Sequence, residues 1–149
     1  MRNSQPTPVE VDVSLHLVGP AGCSLPVWAS LRYDPADPYA VHVVFHAGGI
    51  EPAGEVSWSF ARELLSSGLR EPSGIGDVRV WPWQRDDGPA VALALSSPDG
   101  HALFEVPRRA LADFLGRAYA EVAAGAETRY VDIDGALAAL LGTRGSESR

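Results

Sequence analysis

From Val9 to Val18 the chain alternates strictly. Val9, Val11, Val13, Leu15 and Leu17 share one side, and Glu10, Asp12, Ser14 and His16 the other. A strand with one buried face has this pattern. Gly19-Pro20-Ala21-Gly22 turns the chain, and a second strand alternates Leu25, Val27, Ala29, Leu31 and Tyr33 against Pro26, Trp28, Ser30 and Arg32. Pro26 places the start of that strand, or an edge, at its position. A third strand sets Val41, Val43 and Phe45 against His42, Val44 and His46, and a fourth begins at Glu55–Trp58 after the glycine-rich loop 47–54.

Between the second and third strands lies Asp34-Pro35-Ala36-Asp37-Pro38. Two prolines three residues apart remove two backbone donors and bias both aspartates away from the helical region. A tight, stiff corner between antiparallel neighbours is expected, flanked by Tyr33 and Tyr39 as core architecture. The period then changes: Phe60, Leu64 and Leu65 recur at helical spacing, with Ser59 as N-cap and Gly68 as C-terminal stop. After a glycine loop at 71–77, strands follow at Val78–Trp83, Ala90–Ser97 and His101–Val106, separated by turn signals at Asp86-Asp87-Gly88 and Ser97-Pro98-Asp99-Gly100. Pro107 opens a long helix with Leu111, Phe114, Leu115, Ala118 and Val122 as its apolar stripe, ending at Gly125. An extended piece over Thr128–Ile133 and a small helix over Gly135–Leu141, capped by Asp134, complete the pattern. Strands segregated from helices argue for an α+β protein with antiparallel sheets, not a doubly wound parallel sheet. A single domain is expected over 9–141, between a disordered arm at 1–8 and a frayed tail at 142–149.

Composition narrows the function classes. At 149 residues with 46% hydrophobic and 21% charged content the chain suits one soluble domain. No apolar run approaches the ~20 residues of a membrane span, and the opening MRNSQPTP lacks the apolar middle of a secretory signal. Both point to the cytoplasm without direct membrane insertion. The net charge of -7 opposes non-specific nucleic-acid binding. One cysteine, Cys23, excludes an internal disulfide and a multi-cysteine zinc site, and a small buried thiol is the expected state.

No residue set assembles a catalytic, metal or cofactor site. His42 and His46 share a strand face, but no third ligand follows at metal spacing, which favours solvated or hydrogen-bonded rings. His16 and His101 stand alone. Gly74-Ile75-Gly76 follows a helix and precedes a strand, the reverse of a dinucleotide loop, and reads as a tight turn. Asp132-Ile133-Asp134-Gly135 lacks the other ligands of a calcium loop and reads as a helix cap. The absence of a nucleophile elbow or a fixed cysteine dyad points away from an enzyme. Trp28, Trp81 and Trp83 fall on the nominally polar faces of their strands. Aromatics there imply a covered face, by a helix of the same chain as the simpler case or by another subunit as the alternative. These three form the candidate interface.

The chain resembles the SsgA-like proteins in the blocks LRYDPADPYAVHVVFH (31–46), WSFARELLSSGL (58–69), EPSGIGDVRVWP (71–82), LALSSPDGHALFEV (93–106) and the pair Phe114-Leu115. The first block supplies the signature residues Leu31, Arg32, Tyr33, Asp34, Asp37, Pro38, Tyr39 and Phe45, all read as structural. The second supplies Trp58, Phe60, Arg62, Leu64 and Leu65, and the third Gly74, Gly76, Asp77, Trp81 and Pro82. A longer polar N-terminus, a longer loop at 48–53 and Trp83 depart from the familiar members and leave the subfamily open. The resemblance implies a non-enzymatic protein of sporulation-specific cell division in filamentous actinobacteria. Its partners would be the tubulin-like division protein FtsZ or the wall-synthesis and remodelling machinery. It also implies a homotrimer of Whirly-like fold, an antiparallel β-barrel-like core of about seven or eight strands with flanking helices, similar to mitochondrial guide-RNA-binding proteins. The rival reading is single-stranded nucleic-acid binding, which needs a basic groove with stacking aromatics. Arg79, Arg108, Arg109 and Arg117 could supply such a groove only if they converged away from their acidic neighbours.

Overall fold

In a computed structural model of the chain, residues 5–46 and 55–129 are described. They form seven strands and two α-helices: β1 (Val9–Val18), β2 (Ser24–Tyr33), β3 (Ala40–His46), β4 (Glu55–Ala61), α1 (Arg62–Gly68), β5 (Val78–Arg85), β6 (Gly88–Ser97), β7 (Gly100–Pro107) and α2 (Arg108–Glu121). The strands make one antiparallel sheet in the order β4-β3-β2-β1-β7-β6-β5. It consists of two meanders joined at a narrow seam, where β1 and β7 pair only through His16 with Glu105 and Leu17 with Phe104. The sheet curls into a half-barrel, and Phe45 of β3 stacks on Phe104 of β7 with ring centroids 4.5 Å apart.

The alternating residues on one side of every strand line the inside of this curl. Val13, Leu15, Ala29, Leu31, Val43, Val91, Leu93 and Val106 are all buried there. Helix α2 packs across β1, β6 and β7, delivering Leu111, Phe114, Leu115 and Ala118 into the same core. Helix α1 lies between β4 and β5, the outermost strands of the sheet. Gly68 permits that position, because a Cβ there would fall 2.2 Å from Val80 Cγ1.

The Pro-Pro corner is a pair of consecutive turns. Asp37 N–H donates to the Asp34 carbonyl at 2.8 Å, and Ala40 N–H to the Asp37 carbonyl at 3.2 Å. Each turn thus begins with aspartate and carries proline second, where its fixed φ is already correct. Asp34 Oδ1 also accepts from Ala36 N–H at 2.9 Å.

Three expectations need correction. The fourth strand runs through Ala61, so Ser59 is no cap and Phe60 belongs to β4, where it pairs with Val41. Helix α1 begins only at Arg62, with no side-chain hydrogen bond at its N-cap. Val56, Trp58 and Phe60 continue the two-residue period, and ladder pairing outweighs the short helical pattern that overlaps it. Cys23 is exposed beside the turn at Pro20–Gly22, outside the curl. Helix α2 stops at Glu121, and Gly125, with φ at +87°, serves the turn beyond it. The motif at 132–135 and the helix expected at 135–141 lie outside the described residues.

The glycine loop yields a graded prediction. Gly74 and Gly76 both hold positive φ, +93° and +84°, but a Cβ on Gly74 would meet the Val78 carbonyl oxygen at 2.3 Å while one on Gly76 meets nothing. Gly76→Ala should cost about 1 kcal/mol, the left-handed penalty alone. Gly74→Ala should cost clearly more, about 2–3 kcal/mol. Urea denaturation of the two variants measures the difference.

Candidate interaction surface

Beneath the Pro-Pro corner sits a buried cation. Arg62, the first residue of α1, is only 1% exposed. Its backbone N–H donates to the Tyr39 carbonyl at 2.7 Å, which fixes the helix start against the corner. Its Nη1 reaches Tyr33 Oη at 3.1 Å and the carbonyls of Ala118 and Val122 at 3.2 and 2.7 Å. Tyr33 Oη passes the bond on, donating to the Pro38 carbonyl at 3.0 Å. Nη2 pairs with Glu127 Oε2 at 2.8 Å, and the guanidinium carbon lies 3.9 Å from the Tyr119 ring centroid.

These partners explain one another. The Ala118 carbonyl already accepts from Val122 N–H at 3.0 Å. The end of a helix carries partial negative charge, so a cation there adds a donor to the Val122 carbonyl beyond the helix and meets that charge. Burial raises the Tyr33 pKa, with the neighbouring Arg62 charge pulling the other way. Glu127 is held below the ordinary glutamate range, first by its own backbone amide and then by Arg62. Its other oxygen accepts from Gly125 N–H at 2.9 Å. Among the described residues Arg62 Nε has no hydrogen-bond partner.

The remaining signature residues divide between core and corner. Leu31, Phe45, Phe60 and Leu65 are buried, and Trp58 and Leu64 half-buried. Arg32 pairs with Glu10 on the outer face at 3.3 Å. Asp77 contributes its carbonyl, which accepts from Ser96 N–H at 2.8 Å. Tyr39 departs from expectation: Tyr33 is buried but Tyr39 is 50% exposed, because its carbonyl, not its ring, faces the helix start. The central role of Arg62 was not apparent from the sequence. An arginine next to an apolar stripe reads as a solvated face, and the Tyr33–Arg62–Glu127 separations leave no local spacing to detect.

On the outer face, the histidines of β3 form cross-strand hydrogen bonds. His42 lies 2.8 Å from Ser59 Oγ through Nδ1 and 3.2 Å from Asp37 Oδ2 through Nε2. His46 Nε2 lies 3.0 Å from Ser30 Oγ, which also donates to Asp12 at 2.9 Å. The first set has the connectivity of a serine–histidine–carboxylate relay. Ser59, however, sits within a paired strand and not on a sharp turn that would aim its hydroxyl beside converging amide donors. Its evident work is to tie the corner to β4.

The candidate interface tryptophans share the outer face but stand apart. The register pairs Trp28 with Ser14 and His46, Trp81 with Ala92, and Trp83 with Ala90. Three strands separate β2 from β5, so Trp28 stands about 19 Å from the other two along the sheet. Neither α1 nor α2 covers this face, and the other helix expected, at 135–141, lies outside the described residues. Trp28 is 63% and Trp83 49% exposed, with Trp81 half-buried. Both helices pack on the inside, where the apolar faces of seven strands already require them. Trp83 is nonetheless held in place: its Nε1 donates to Glu105 Oε2 at 2.9 Å, and Glu105 also binds Arg85, which reaches Asp87 at 3.0 Å. That pairing raises the Arg85 pKa and lowers that of Asp87. Of the arginines weighed for a basic groove, Arg108 turns inward toward the Leu69 carbonyl.

The architecture defines an α+β domain built on a curled, seven-stranded antiparallel sheet with two helices in its hollow and aromatic side chains on its back. The family model for the Streptomyces sporulation and cell division protein SsgA matches residues 27–127. The chain is 64% identical over 142 residues to the sporulation-specific cell division protein SsgB of Salinispora tropica, covering 94% of this chain and 97% of that one. It is 51% identical over 135 residues to SsgB of Streptomyces coelicolor, with 91% and 96% covered. The crystal structure of an SsgA-like sporulation-specific cell division protein from Thermobifida fusca superposes with a TM-score of 0.80 at 43% identity, over 93% of this chain and 98% of that chain. The chain belongs to the SsgA family.

Two outcomes follow from the Arg62 geometry. Arg62→Met removes the shared partner of two helix carbonyls and a carboxylate, and should cost about 3–5 kcal/mol. In a chain of this size that lowers Tm by roughly 10 °C in calorimetry. Glu127 ionises at lower pH in the folded than in the unfolded state. Its contribution is therefore complete above the ordinary glutamate pKa of about 4.3 and is lost as pH falls through the folded value. Glu127→Gln should flatten the acid limb of the stability profile and leave its neutral-to-alkaline shape unchanged.

Proposed function

We propose that this chain is a non-enzymatic adaptor of sporulation-specific cell division in filamentous actinobacteria. It acts by protein–protein contact with FtsZ or with the wall-synthesis machinery, and so helps to position septa. The observation that carries this reading is near full-length likeness, at 64% identity, to a protein named as the sporulation-specific cell division protein SsgB. Residues 9–141 are taken as the working domain, in the cytoplasm and recruited to division sites.

The homotrimer belongs to the same proposal, as does a Whirly-like arrangement of the two strand meanders. The exposed Trp28 and Trp83 support assembly, since aromatics concentrate where protein surfaces meet. Net charge of -7 and arginines paired with local acids favour protein over nucleic acid as the partner.

Co-pelleting with GTP-assembled FtsZ at physiological salt tests the partner. Saturable pelleting is expected, and its absence would turn the proposal toward wall-remodelling partners. Sedimentation at micromolar concentration tests assembly: a trimer is expected that Trp28→Glu weakens at least tenfold in association without changing the circular dichroism. A clean wild-type monomer would contradict it.

A further inference from the structure

One end of the sheet projects beyond the rest. Strands β1 and β2 pair without a break from Val9–Tyr33 to Val18–Ser24. Among the described residues β3 accompanies β2 only from Trp28 onward, and β7 meets β1 only at His16 and Leu17. The ribbon outside those contacts ends in the turn Pro20–Gly22 and has no third strand beside it among the described residues. Every residue from Pro20 to Pro26 is exposed, and Leu25 is 60% exposed. A lone exposed leucine is ordinary, but here Pro20, Ala21, Cys23, Leu25 and Pro26 are exposed together at one convex end.

Two properties of this tip restrict what it can meet. It carries no charge: between His16 and Arg32 lie fifteen residues without an acid, a base or a histidine. Its backbone is also largely satisfied from within. Gly19 N–H donates to the Cys23 carbonyl at 2.6 Å, and Cys23 N–H donates to the Pro20 carbonyl at 3.2 Å. Pro20 has no donor to satisfy, the ladder resumes directly behind at Val18–Ser24, and Ser24 carries the one hydroxyl from Leu17 to Val27. A protein partner is recognised through about one hydrogen bond per 100–200 Å² and through complementary charge. The tip supplies little of the first and none of the second. Hydrocarbon requires neither, and penalises chiefly the unpaired backbone groups that the turn has mostly removed.

We infer that the β1–β2 tip is a peripheral lipid-contact site that enters the interfacial layer of an electrically neutral lipid surface, with Leu25 as its main anchor. Leu25 and Pro26 lie on opposite faces of the ribbon, so both enter when the ribbon meets the surface end-on. So shallow a contact needs no span-length apolar run, and in this it departs from the composition-based expectation of no membrane insertion. Burying one leucine with a few smaller apolar groups gives weak, reversible binding, no tighter than that of a single acyl chain, about 10⁴ M⁻¹. The net charge of -7 adds no attraction toward anionic lipid. The tip and the Asp-Pro corner stand at opposite ends of β2, so the corner faces away from a surface that the tip occupies.

The single cysteine, Cys23, is exposed within the tip and accepts an environment-sensitive nitrobenzoxadiazole dye on the full chain. With phosphatidylcholine vesicles a saturable blue shift is expected over about 0.1–10 mM lipid, with quenching by lipids spin-labelled near the top of the acyl chain. The unlabelled chain should float with the same vesicles. Leu25→Asp should weaken both signals at least tenfold. Leu25 is exposed, so that variant should fold, and circular dichroism verifies this. Moving the dye to the corner, with Cys23→Ser and Ala36→Cys, should abolish the shift. Phosphatidylglycerol should not strengthen binding, and high salt should not weaken it. No flotation of the unlabelled chain at 10 mM lipid, about a hundredfold beyond the expected midpoint, would overturn the site. Binding indifferent to Leu25→Asp, or dependent on phosphatidylglycerol, would do the same. If the Cys23 dye shifts with protein concentration in the absence of lipid, the tip belongs to a second copy and the inference fails. If it responds to assembled FtsZ and not to vesicles, the tip belongs to that protein partner and the lipid inference fails.

Discussion

The Arg62 guanidinium lies where the β2–β3 corner, the start of α1 and the end of α2 converge. Tyr33 and Pro38 come from the corner, Ala118 and Val122 from the helix end, and Glu127 from the turn that follows. A buried charge is tolerable only when its donors are almost fully used and an opposite charge is close. The network is correspondingly demanding: each partner restricts where the others can be. Aromatic rings on Tyr33 and Tyr119 complete the enclosure, at 4.9 and 3.9 Å from the guanidinium carbon. The stiff Asp-Pro turns make this possible, because they present the Pro38 and Tyr39 carbonyls in fixed directions before the helix arrives.

The two strand meanders meet only at the short β1–β7 seam, and the Phe45–Phe104 stack and α2 hold the curl closed from within. Since α1 and α2 both pack inside, the back of the sheet carries only side chains among the described residues. Cross-strand serine–histidine–aspartate bonds and the Trp83–Glu105–Arg85 cluster order that back. The curl that stabilises the domain therefore also determines which aromatics remain available to partners.

Much of this was legible in the alternation of residues. All seven strands, their hairpin turns and the apolar stripe of α2 follow from periodicity, because a half-buried sheet imposes a period of two wherever it runs. The boundary of α1 did not, since Phe60 satisfies both the strand and the helical pattern and only pairing with Val41 decides between them. Cys23 and Tyr39 were expected inside on residue type, yet each sits at a turn where the backbone is the part that engages. The tryptophans were correctly placed on the outer face, but which element covers a face is a tertiary fact that strand patterning does not carry. Arg62 was visible as a signature residue, while its partners lie 29 to 65 positions away in the chain.

The central claim is that one guanidinium couples the corner to the end of α2. Native-state hydrogen exchange of the wild-type chain tests it most directly, through the amides of Asp37, Ala40, Arg62 and Val122, whose acceptors are all defined. If the coupling holds, these four exchange through a common opening with protection close to that of the core strands. Loop-like exchange at the corner beside a protected Val122 would show that the two regions open independently, and would contradict the account.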